Sequence, residues 1–423
     1  MTTTSTANEV QRSIDAVWRI ESPRLIGGLL RILRDVGEAE DAAQDALVAA
    51  LEHWPKTGVP DNPGAWLMAT AKNRAIDRLR RTQLRQRKFE EVDDDSGMSP
   101  MSTPDPSIAA DDEIGDDLLR LIFVACHPVL SRESRVALTL RLLGGLSTDE
   151  IARAFLLPEA TIAQRMVRAK RTLAKDQAGF DSPRRSQLAE RLDSVLDVIY
   201  LIFNEGYSAT AGDDWMRPAL CDEAMRLGRV LAGLVPDQSE VHGLVALMEI
   251  QASRTPARTG DDGEPVLLLE QNRSRWDRLL IRRGLIALQR AEKLGGRDKR
   301  FALQAAIAAC HARAIQASNT DWSRIASLYT TLLAASPSPV IELNRAVAVG
   351  MAHGAAAGLE LVEQLADEPS LKRYHLLPAV RGDLLFKLGR RDEAREQFNR
   401  AAELTRNDRE RALMHQRALA CTS

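Results

Sequence analysis

The sequence predicts an all-α protein, and three observations support that fold class. The 423 residues are 44% hydrophobic but only 4% aromatic. Alanine, leucine and arginine, which favour helices, dominate the composition. Runs of alternating β-branched residues, which would indicate half-buried strands, are scarce. The length favours two to three domains.

Charge is segregated along the N-terminal part of the chain, although the formal net charge is only −2. Residues 72–88 contain eight Lys or Arg and one acid, whereas residues 90–117 contain eleven acids and no base. Residues 159–175 are again basic, with five bases and one acid. Two concentrated basic segments predict contact with a polyanion, which the near-neutral total conceals.

The first helical block is predicted over residues 1–88 and contains an amphipathic helix in "DVGEAEDAAQDALVAALEHW". Its alanines form one apolar stripe, and Glu40, Asp41, Gln44 and Asp45 form a polar face. A charged face on a helix is ordinarily just solvated. A protein-binding surface is the alternative, and the segments that follow favour it.

A Pro-rich loop is predicted at 53–63, followed by the basic helix "GAWLMATAKNRAIDRLRR". Its apolar residues can pack inward while its Lys and Arg side chains form a ridge. A row of bases on a rigid helix suits a line of phosphates, because binding releases counterions. Trp54 and Trp66, near this loop, are interpreted as core anchors, and base stacking is the alternative.

Residues 89–112 are predicted to be a flexible acidic linker, because "DDDSGMSPMSTPDPSIAADDE" is rich in Pro, Ser and Asp and has no apolar period. A second helical block is predicted over 113–178. In it "LSTDEIARAFLLPEATIAQRMVRAKRTL" has the pattern of a helix-turn-helix. Ser147 and Glu150 can form a capping box, and Pro158 suits the start of the second helix. The exposed side of that helix carries donors and acceptors for base edges and phosphates at Thr161, Gln164, Arg165 and Arg168.

"AEDAAQDAL" followed by "AWLMATAKNRAIDRLRR" resembles region 2 of the extracytoplasmic-function (ECF) sigma factors of bacterial RNA polymerase. The resemblance implies that the acidic helix binds core polymerase through Asp41, Gln44 and Asp45. It also implies that the loop at 54–63 holds a flipped base. The basic helix would then hold the −10 promoter element through Lys72, Asn73, Arg74, Asp77, Arg78, Arg80 and Arg81.

The helix-turn-helix resembles region 4 of the same family, which implies that it binds the −35 promoter element. Leu156 stands where the family pattern has glycine, so the geometry of the turn is expected to differ. The acidic linker fits the tether between the two regions in that family. Two such blocks in this order, joined by this linker, indicate the family far more specifically than one helix-turn-helix does.

Residues 179–423 are predicted to form a tetratricopeptide-like (TPR-like) helical domain that regulates activity. Gly382, Ala394, Phe398 and Ala401 have the spacing of such a repeat, and an upstream segment matches when Gly350 is aligned with Gly389. An irregular helical bundle is the alternative. The layout resembles an ECF subgroup with such an extension, for which a small YCII-related protein is a typical neighbour and a possible partner.

No enzyme chemistry is predicted. The cysteines and histidines show no metal-ligand spacing, and no Ser/His/Asp set, Cys/His set or phosphate-binding loop is present in the sequence. We therefore expect no metal, no cofactor and no disulfide. The chain shows no signal-peptide pattern and no apolar run of about 18 residues, so a cytoplasmic location is expected.

Two functions fit these patterns. The first is an ECF sigma factor, which binds core RNA polymerase and promoter DNA. The second is a helix-turn-helix regulator with a TPR sensor, which binds an operator without replacing a polymerase subunit. The block from 35 to 85 discriminates them, because the second function has no use for it.

Overall fold

The computed structural model describes most of the chain as helix. The described residues are 3–90, 114–155, 157–176, 185–208, 216–260, 265–405 and 407–422. The side chains of 3–12, 15, 19, 78, 81–90, 114–116 and 185–190 lie outside this description. The part of the chain that is described contains no strand and only one isolated β-bridge, between Thr259 and Pro265.

The chain divides into two compact units, Met1–Val198 and Ile199–Ser423. The acidic linker predicted at 89–112 lies outside the described residues, apart from its first two. The all-α fold class predicted from the sequence is confirmed. None of the described helices is long and apolar enough to cross a membrane.

The first unit contains seven helices of the described chain and the start of an eighth. Their bounds are α1 (Thr3–Leu33), α2 (Val36–Thr57), α3 (Pro63–Glu90), α4 (Ile114–Ala125), α5 (Arg132–Leu142), α6 (Thr148–Phe155), α7 (Glu159–Asp176) and α8 (Arg185–Tyr207).

Small residues bring the helices of this unit close together. The alanine stripe of α2 is fully buried at Ala39, Ala42, Ala43 and Ala46. On α1, a Cβ added at Gly27 would lie 2.6 Å from the carbonyl oxygen of Asp117 on α4. Helix α1 therefore packs against both the first and the second helical block, and only glycine fits at this crossing.

The start of α8 belongs to the first unit. Ser194 donates a hydrogen bond to the carbonyl of Cys126 (2.7 Å) and accepts one from Arg135 (2.6 Å). Arg191 donates to the carbonyl of Phe123 (2.8 Å). These bonds satisfy one carbonyl in the last turn of α4 and one just after it, so residues C-terminal to the predicted boundary at 178 stabilise the second helical block.

The second unit continues α8 and adds ten helices of the described chain, most of which pack against the helix before or after them in the sequence. The carboxylate of Glu249 is buried in the helix Ser239–Ala252. It pairs with Arg229 (2.8 Å) on the helix before and with Arg283 (3.4 Å) on the helix after. The bounds are α9 (Pro218–Leu234), α10 (Ser239–Ala252), α11 (Arg278–Lys293), α12 (Arg300–Arg313), α13 (Trp322–Ala335), α14 (Pro339–His353), α15 (Ala355–Gln364), α16 (Leu376–Lys387), α17 (Arg391–Leu404) and α18 (Asp408–Ala420).

Helices α16 and α17 pack closely against each other. A Cβ added at Gly382 would lie 2.9 Å from the ring of Phe398, so the ring of α17 packs directly against the backbone of α16. Ala394, Phe398 and Ala401 are all buried in the same cluster. The spacing predicted to let two antiparallel helices approach closely does so.

The predicted alignment of Gly350 with Gly389 is wrong. Gly389 ends α16 with a φ of 76°, and the corresponding turn between α14 and α15 is at Gly354, with a φ of 101°. Gly350 instead lies inside α14, where it contacts Gly358 of α15. Both types of glycine are required, one for a left-handed turn and one for a helix crossing, and sequence spacing did not distinguish them.

Candidate nucleic-acid interface

The basic face of α3 is positioned by the apolar residues on its opposite side. Leu67, Ala71 and Ala75 are buried, which turns the neighbouring positions outward. Of the predicted promoter-facing residues, Asn73, Asp77 and Arg80 are exposed, and Lys72 and Arg74 are half-buried. The side chains of Arg78 and Arg81 lie outside the described residues.

The loop that precedes α3 is shorter than predicted, because α2 continues through Pro55 to Thr57 and α3 begins at Pro63. Gly58 ends α2 with a φ of 87°, and its N–H donates to the carbonyl of Trp54 (2.9 Å). Asn62 caps α3 by accepting from the N–H of Ala65 (3.1 Å). Residues 58–62 therefore form a short loop anchored at both ends, and most of it is exposed.

The two tryptophans beside this loop have different environments. Trp54 is 1% exposed and packs edge-on against Trp66, with ring centroids 5.4 Å apart. Trp66 is half-buried and also contacts the ring of His53 (6.3 Å). Trp54 is thus a core anchor, whereas part of Trp66 reaches the surface.

The polar face of α2 borders the basic face of α3. Asp41 is exposed, and Gln44 and Asp45 are half-buried. Asp45 Oδ1 lies 3.9 Å from Arg74 Nη1, a wide ion pair in which both side chains are more than a third exposed. Such a pair contributes little to stability. The residues predicted to face polymerase and promoter therefore form adjacent parts of one surface.

Glu40 does not belong to that solvated face, contrary to the prediction. It is 5% exposed, and its Oε1 accepts from Arg141 Nε of α5 (2.7 Å) and from Gln44 (3.2 Å). Its Oε2 lies 2.6 Å from Lys170 Nζ of α7. Burial would raise the pKa of Glu40, but Lys170 and Arg141 hold that pKa below its ordinary value of 4.5. One carboxylate of the first block thus joins two cations of the second.

The helix-turn-helix contains the predicted capping box. The N–H of Ser147 donates to Glu150 Oε2 (2.7 Å), and the N–H of Glu150 donates to Ser147 Oγ (3.1 Å). Ala152 and Ile162 are buried between α6 and α7, as their positions indicate. Leu156, where the family pattern has glycine, lies outside the described residues.

The candidate recognition stripe of α7 is on the side opposite its buried residues. Gln164 and Arg168 are exposed, and Thr161 and Arg165 are half-buried. Lys170 lies off this stripe, on the flank that reaches Glu40. The recognition stripe and the contact with α2 therefore use different sides of the same helix.

Sequence reasoning missed the contact made by Glu40, Arg141 and Lys170. A charge pattern shows that a face is polar but not that one of its members is buried against a helix 100 residues away. The only local signal was the position of Glu40 directly beside the buried stripe of alanines, at Ala39 and Ala43.

Three family models match the chain. Residues 18–85 match Sigma-70 region 2, and residues 120–173 match Sigma-70, region 4. Residues 191–292 match a family of unknown function, DUF6596. The first two matches contain α2, α3 and the helix-turn-helix.

Curated relatives cover both the whole chain and its N-terminal part. An uncharacterized protein of Rhizobium meliloti is 42% identical over 395 residues, which are 92% of this chain and 91% of that protein. The ECF RNA polymerase sigma factor SigL of Mycobacterium tuberculosis is 34% identical over 145 residues, 34% of this chain and 77% of SigL. SigK of Mycobacterium bovis, also an ECF RNA polymerase sigma factor, is 30% identical over 157 residues, 36% of this chain and 78% of SigK.

Proposed function

Because the chain belongs to the ECF sigma factors of bacterial RNA polymerase, we propose that its two helical blocks divide the contacts needed for promoter recognition. The chain binds core RNA polymerase and directs promoter-specific transcription initiation. We assign no reaction to the chain, since the polymerase performs the chemistry.

The first proposal is that α3 binds the −10 element while α2 binds the polymerase. The observation that carries it is the pair of half-buried side chains that joins the two helices, Asp45 on α2 and Arg74 on α3, 3.9 Å apart. Exposed Asp41 lies on the α2 side of this pair, and exposed Asn73 and Arg80 lie on the α3 side. Here acidic groups lie beside a basic ridge, so one face can grip a protein while the next follows a phosphate backbone. The base extruded from the duplex would be held at loop 58–62, where Trp66 provides a partly exposed ring.

The second proposal is that α7 binds the −35 element in the major groove through Thr161, Gln164, Arg165 and Arg168. An amide and guanidinium groups at this spacing can reach base edges and phosphates from one side of a helix. The capping box fixes the start of α6, and the buried Ala152 and Ile162 pack α7 against that helix. Rigid support of this kind is what base readout requires.

The third proposal is that the first unit opens when it engages a promoter. The −35 and −10 elements are about 25 base pairs apart, which is about 85 Å at 3.4 Å per base pair. Glu40 and Lys170 are 2.6 Å apart in the closed form, so the two blocks cannot reach both elements at once. The chain between α3 and α4 would span at most about 80 Å when extended. This span, added to the dimensions of the two blocks, lets the separated blocks reach both elements.

Separation can be measured by energy transfer between dyes on exposed positions. We expect the distance in a Glu38→Cys/Lys175→Cys chain to increase by tens of ångströms when core polymerase and promoter are added. The four native cysteines are buried, so labelling is selective for the new thiols. An unchanged distance in an active complex would contradict opening, while leaving the assignment of the binding surfaces in place.

The fourth proposal is that residues 179–423 modulate activity, with 89–112 as the tether. The helical pairing of α14–α17 supports a TPR-like domain, a type that often binds other proteins. The subgroup resemblance supports a small YCII-related protein as a further partner. Core RNA polymerase and promoter DNA are in the cytoplasm, so we propose that the protein acts there.

Run-off transcription with purified core polymerase tests the function as a whole. We expect the full chain to program initiation at the promoter upstream of its own regulon, and the polymerase alone to fail there. Operator binding without polymerase-dependent initiation would instead favour a helix-turn-helix regulator with a TPR sensor.

A further inference from the structure

A cavity of about 470 Å³ lies in the second unit, among α10, α12, α13 and α14. This volume is within the range of sites for small molecules, about 300–1,000 Å³. One part of its wall is apolar, with Ile307, Leu332 and Ile341. The other part is polar and includes Arg254 and His311. The cavity therefore has an apolar side and a hydrogen-bonding side.

Arg254 gives the polar side a positive charge. Its guanidinium stacks against the rings of Tyr207 (5.6 Å) and Trp276 (5.9 Å), and Nη2 donates to the hydroxyl of Tyr207. Its Nε is buried and has no hydrogen-bond partner. Among the described residues, no carboxylate lies within ion-pair distance of Arg254. The side chain is thus held in place by aromatic rings, and its positive charge, which none of the described carboxylates pairs with, borders the cavity.

His311 provides a second unused group beside Arg254. It is 8% exposed, its ring packs edge-on against Trp322 (5.2 Å), and its Nδ1 has no hydrogen-bond partner. Burial, with Arg254 and Arg273 close by, lowers the pKa of His311 to about 3, so the imidazole is neutral at physiological pH. A neutral imidazole therefore adds a polar group, and not a second charge, to this wall of the cavity.

Arg273 adds to the positive potential behind this wall. It is buried, and it donates to the carbonyls of His311 and Ala314 (2.7 Å each) and to Thr320 Oγ1 (3.1 Å). None of these acceptors carries a full negative charge. Arg254 and Arg273 have no carboxylate among their described contacts, and Arg300 also lines the cavity. Positive charge gathered in this way is costly to bury, and a bound anion would offset that cost.

We propose that this cavity binds a small organic anion, with its carboxylate or phosphate between Arg254 and His311 and its apolar body against Ile307, Leu332 and Ile341. A charge-assisted hydrogen bond from Arg254 selects the anion, and the apolar wall selects a compact hydrocarbon or aromatic group. The site is formed entirely within the second unit, so its test does not depend on the proposed promoter contacts.

The full chain is tested with three probes of one shape, namely benzoate, phenyl phosphate and the neutral benzamide. Isothermal titration should show at least one anion binding at least about tenfold more tightly than benzamide, the ratio that a hydrogen bond to a charged group provides. The ratio between the two anions identifies the preferred head group. Equal affinity for all three probes, or binding of none, overturns the proposal.

Variants locate the site. Arg254→Gln should abolish the preference for the anion, whereas Arg297→Gln, which changes an exposed arginine of the same unit, should retain it. A preference that persists in Arg254→Gln overturns the proposal.

If Arg254→Gln does not fold, Ala308→Phe decides, because it places a ring in the cavity and leaves every charge in place. We expect it to abolish binding of all three probes while circular dichroism stays that of the parent chain. Undiminished binding in a folded Ala308→Phe chain would show that the probes bind elsewhere, which also overturns the proposal.

Discussion

Glu40 shows how a single buried carboxylate can connect two segments that are distant in the sequence. It is enclosed by α2, α5 and α7, and two cations oppose the cost of its burial. Removing one partner of a buried ion pair leaves the other charge buried and unpaired. The free-energy cost of that change usually exceeds the net stabilisation that the intact pair provides. The closed form of the first unit therefore depends strongly on this residue.

We expect Glu40→Gln to lower the free energy of unfolding of the N-terminal unit by about 2 kcal/mol, the scale of a hydrogen bond to a charged group. Arg141 and Lys170 are each about a quarter exposed, so water partly compensates them. Urea unfolding followed by circular dichroism measures the change. Glu38→Gln, two residues earlier on the exposed side of α2, is the matched control. Equal effects of the two variants would contradict the role of Glu40.

The same contact predicts a pH dependence with a defined sign. Because the pKa of Glu40 is lowered by folding, its contribution is complete above the ordinary value of 4.5 and is lost as the pH falls through the folded-state pKa. Glutamine resembles the protonated acid. The difference in stability between the parent chain and Glu40→Gln should thus be constant near neutral pH, shrink as the pH falls below 4.5, and disappear below the lowered folded-state pKa. A difference that persists in strong acid would show that packing, not charge, is responsible.

Arg80 tests the promoter surface at the scale of one side chain. It is exposed on the described part of α3, so Arg80→Ala removes a charge without creating a cavity. If it contacts a phosphate, the variant should bind promoter DNA more weakly across sequences, and the slope of log affinity against log salt should decrease by about 1. Fluorescence anisotropy of the holoenzyme gives the slope. Arg24→Ala on α1 is the control, and an unchanged slope in Arg80→Ala would remove this residue from the interface.

At the scale of elements, crossings between helices depend on whether a glycine is inside a helix or in a turn. Gly382 and Gly350 are inside helices and allow close approach, whereas Gly354 and Gly389 are in left-handed turns. The sequence predicted the helices and the close pair at Gly382 and Phe398, because helical period and small-residue spacing are local properties. The sequence did not match Gly354 with Gly389, because composition does not show which glycine has a positive φ.

We expect Gly382→Ala to destabilise the second unit by about 1–3 kcal/mol, since its Cβ would lie 2.9 Å from the ring of Phe398. Gly233→Ala on α9 is the matched control, because nothing lies within 4 Å of its added Cβ. That control should be neutral or stabilising by up to about 1 kcal/mol, as alanine is the better helix former. Thermal unfolding compares the two, and similar shifts would contradict the close crossing.

At the scale of the whole molecule, the helix that follows residue 178 belongs partly to the first unit. Arg191 and Ser194 bond to the end of α4, and Val195 and Leu196 are buried. The composition of 178–185 indicated a break in the chain. It did not indicate that the next helix completes the preceding core, because burial depends on neighbours that are far away in the sequence.

A chain ending at Val198 should therefore be more stable than one ending at residue 180, which would leave Phe123, Cys126 and Arg135 without these partners. We expect both to retain the residues proposed to bind polymerase, but the shorter chain should unfold at a lower temperature. Differential scanning calorimetry measures this, and pull-down with core polymerase checks retained binding. Equal melting temperatures would show that the start of α8 does not stabilise the first unit.

The order of the amino acids was enough to predict the all-α class, the capping box and the sigma-factor family, because helical periodicity, capping and charge segregation depend on residues close together in the chain. Three features required the folded chain: the burial of Glu40 between two cations, the equivalence of the turn glycines, and the cavity beside Arg254 and His311. Each depends on atoms that long loops and helix crossings bring together. The spacing of nearby residues does not give the distance between residues that are far apart in the sequence.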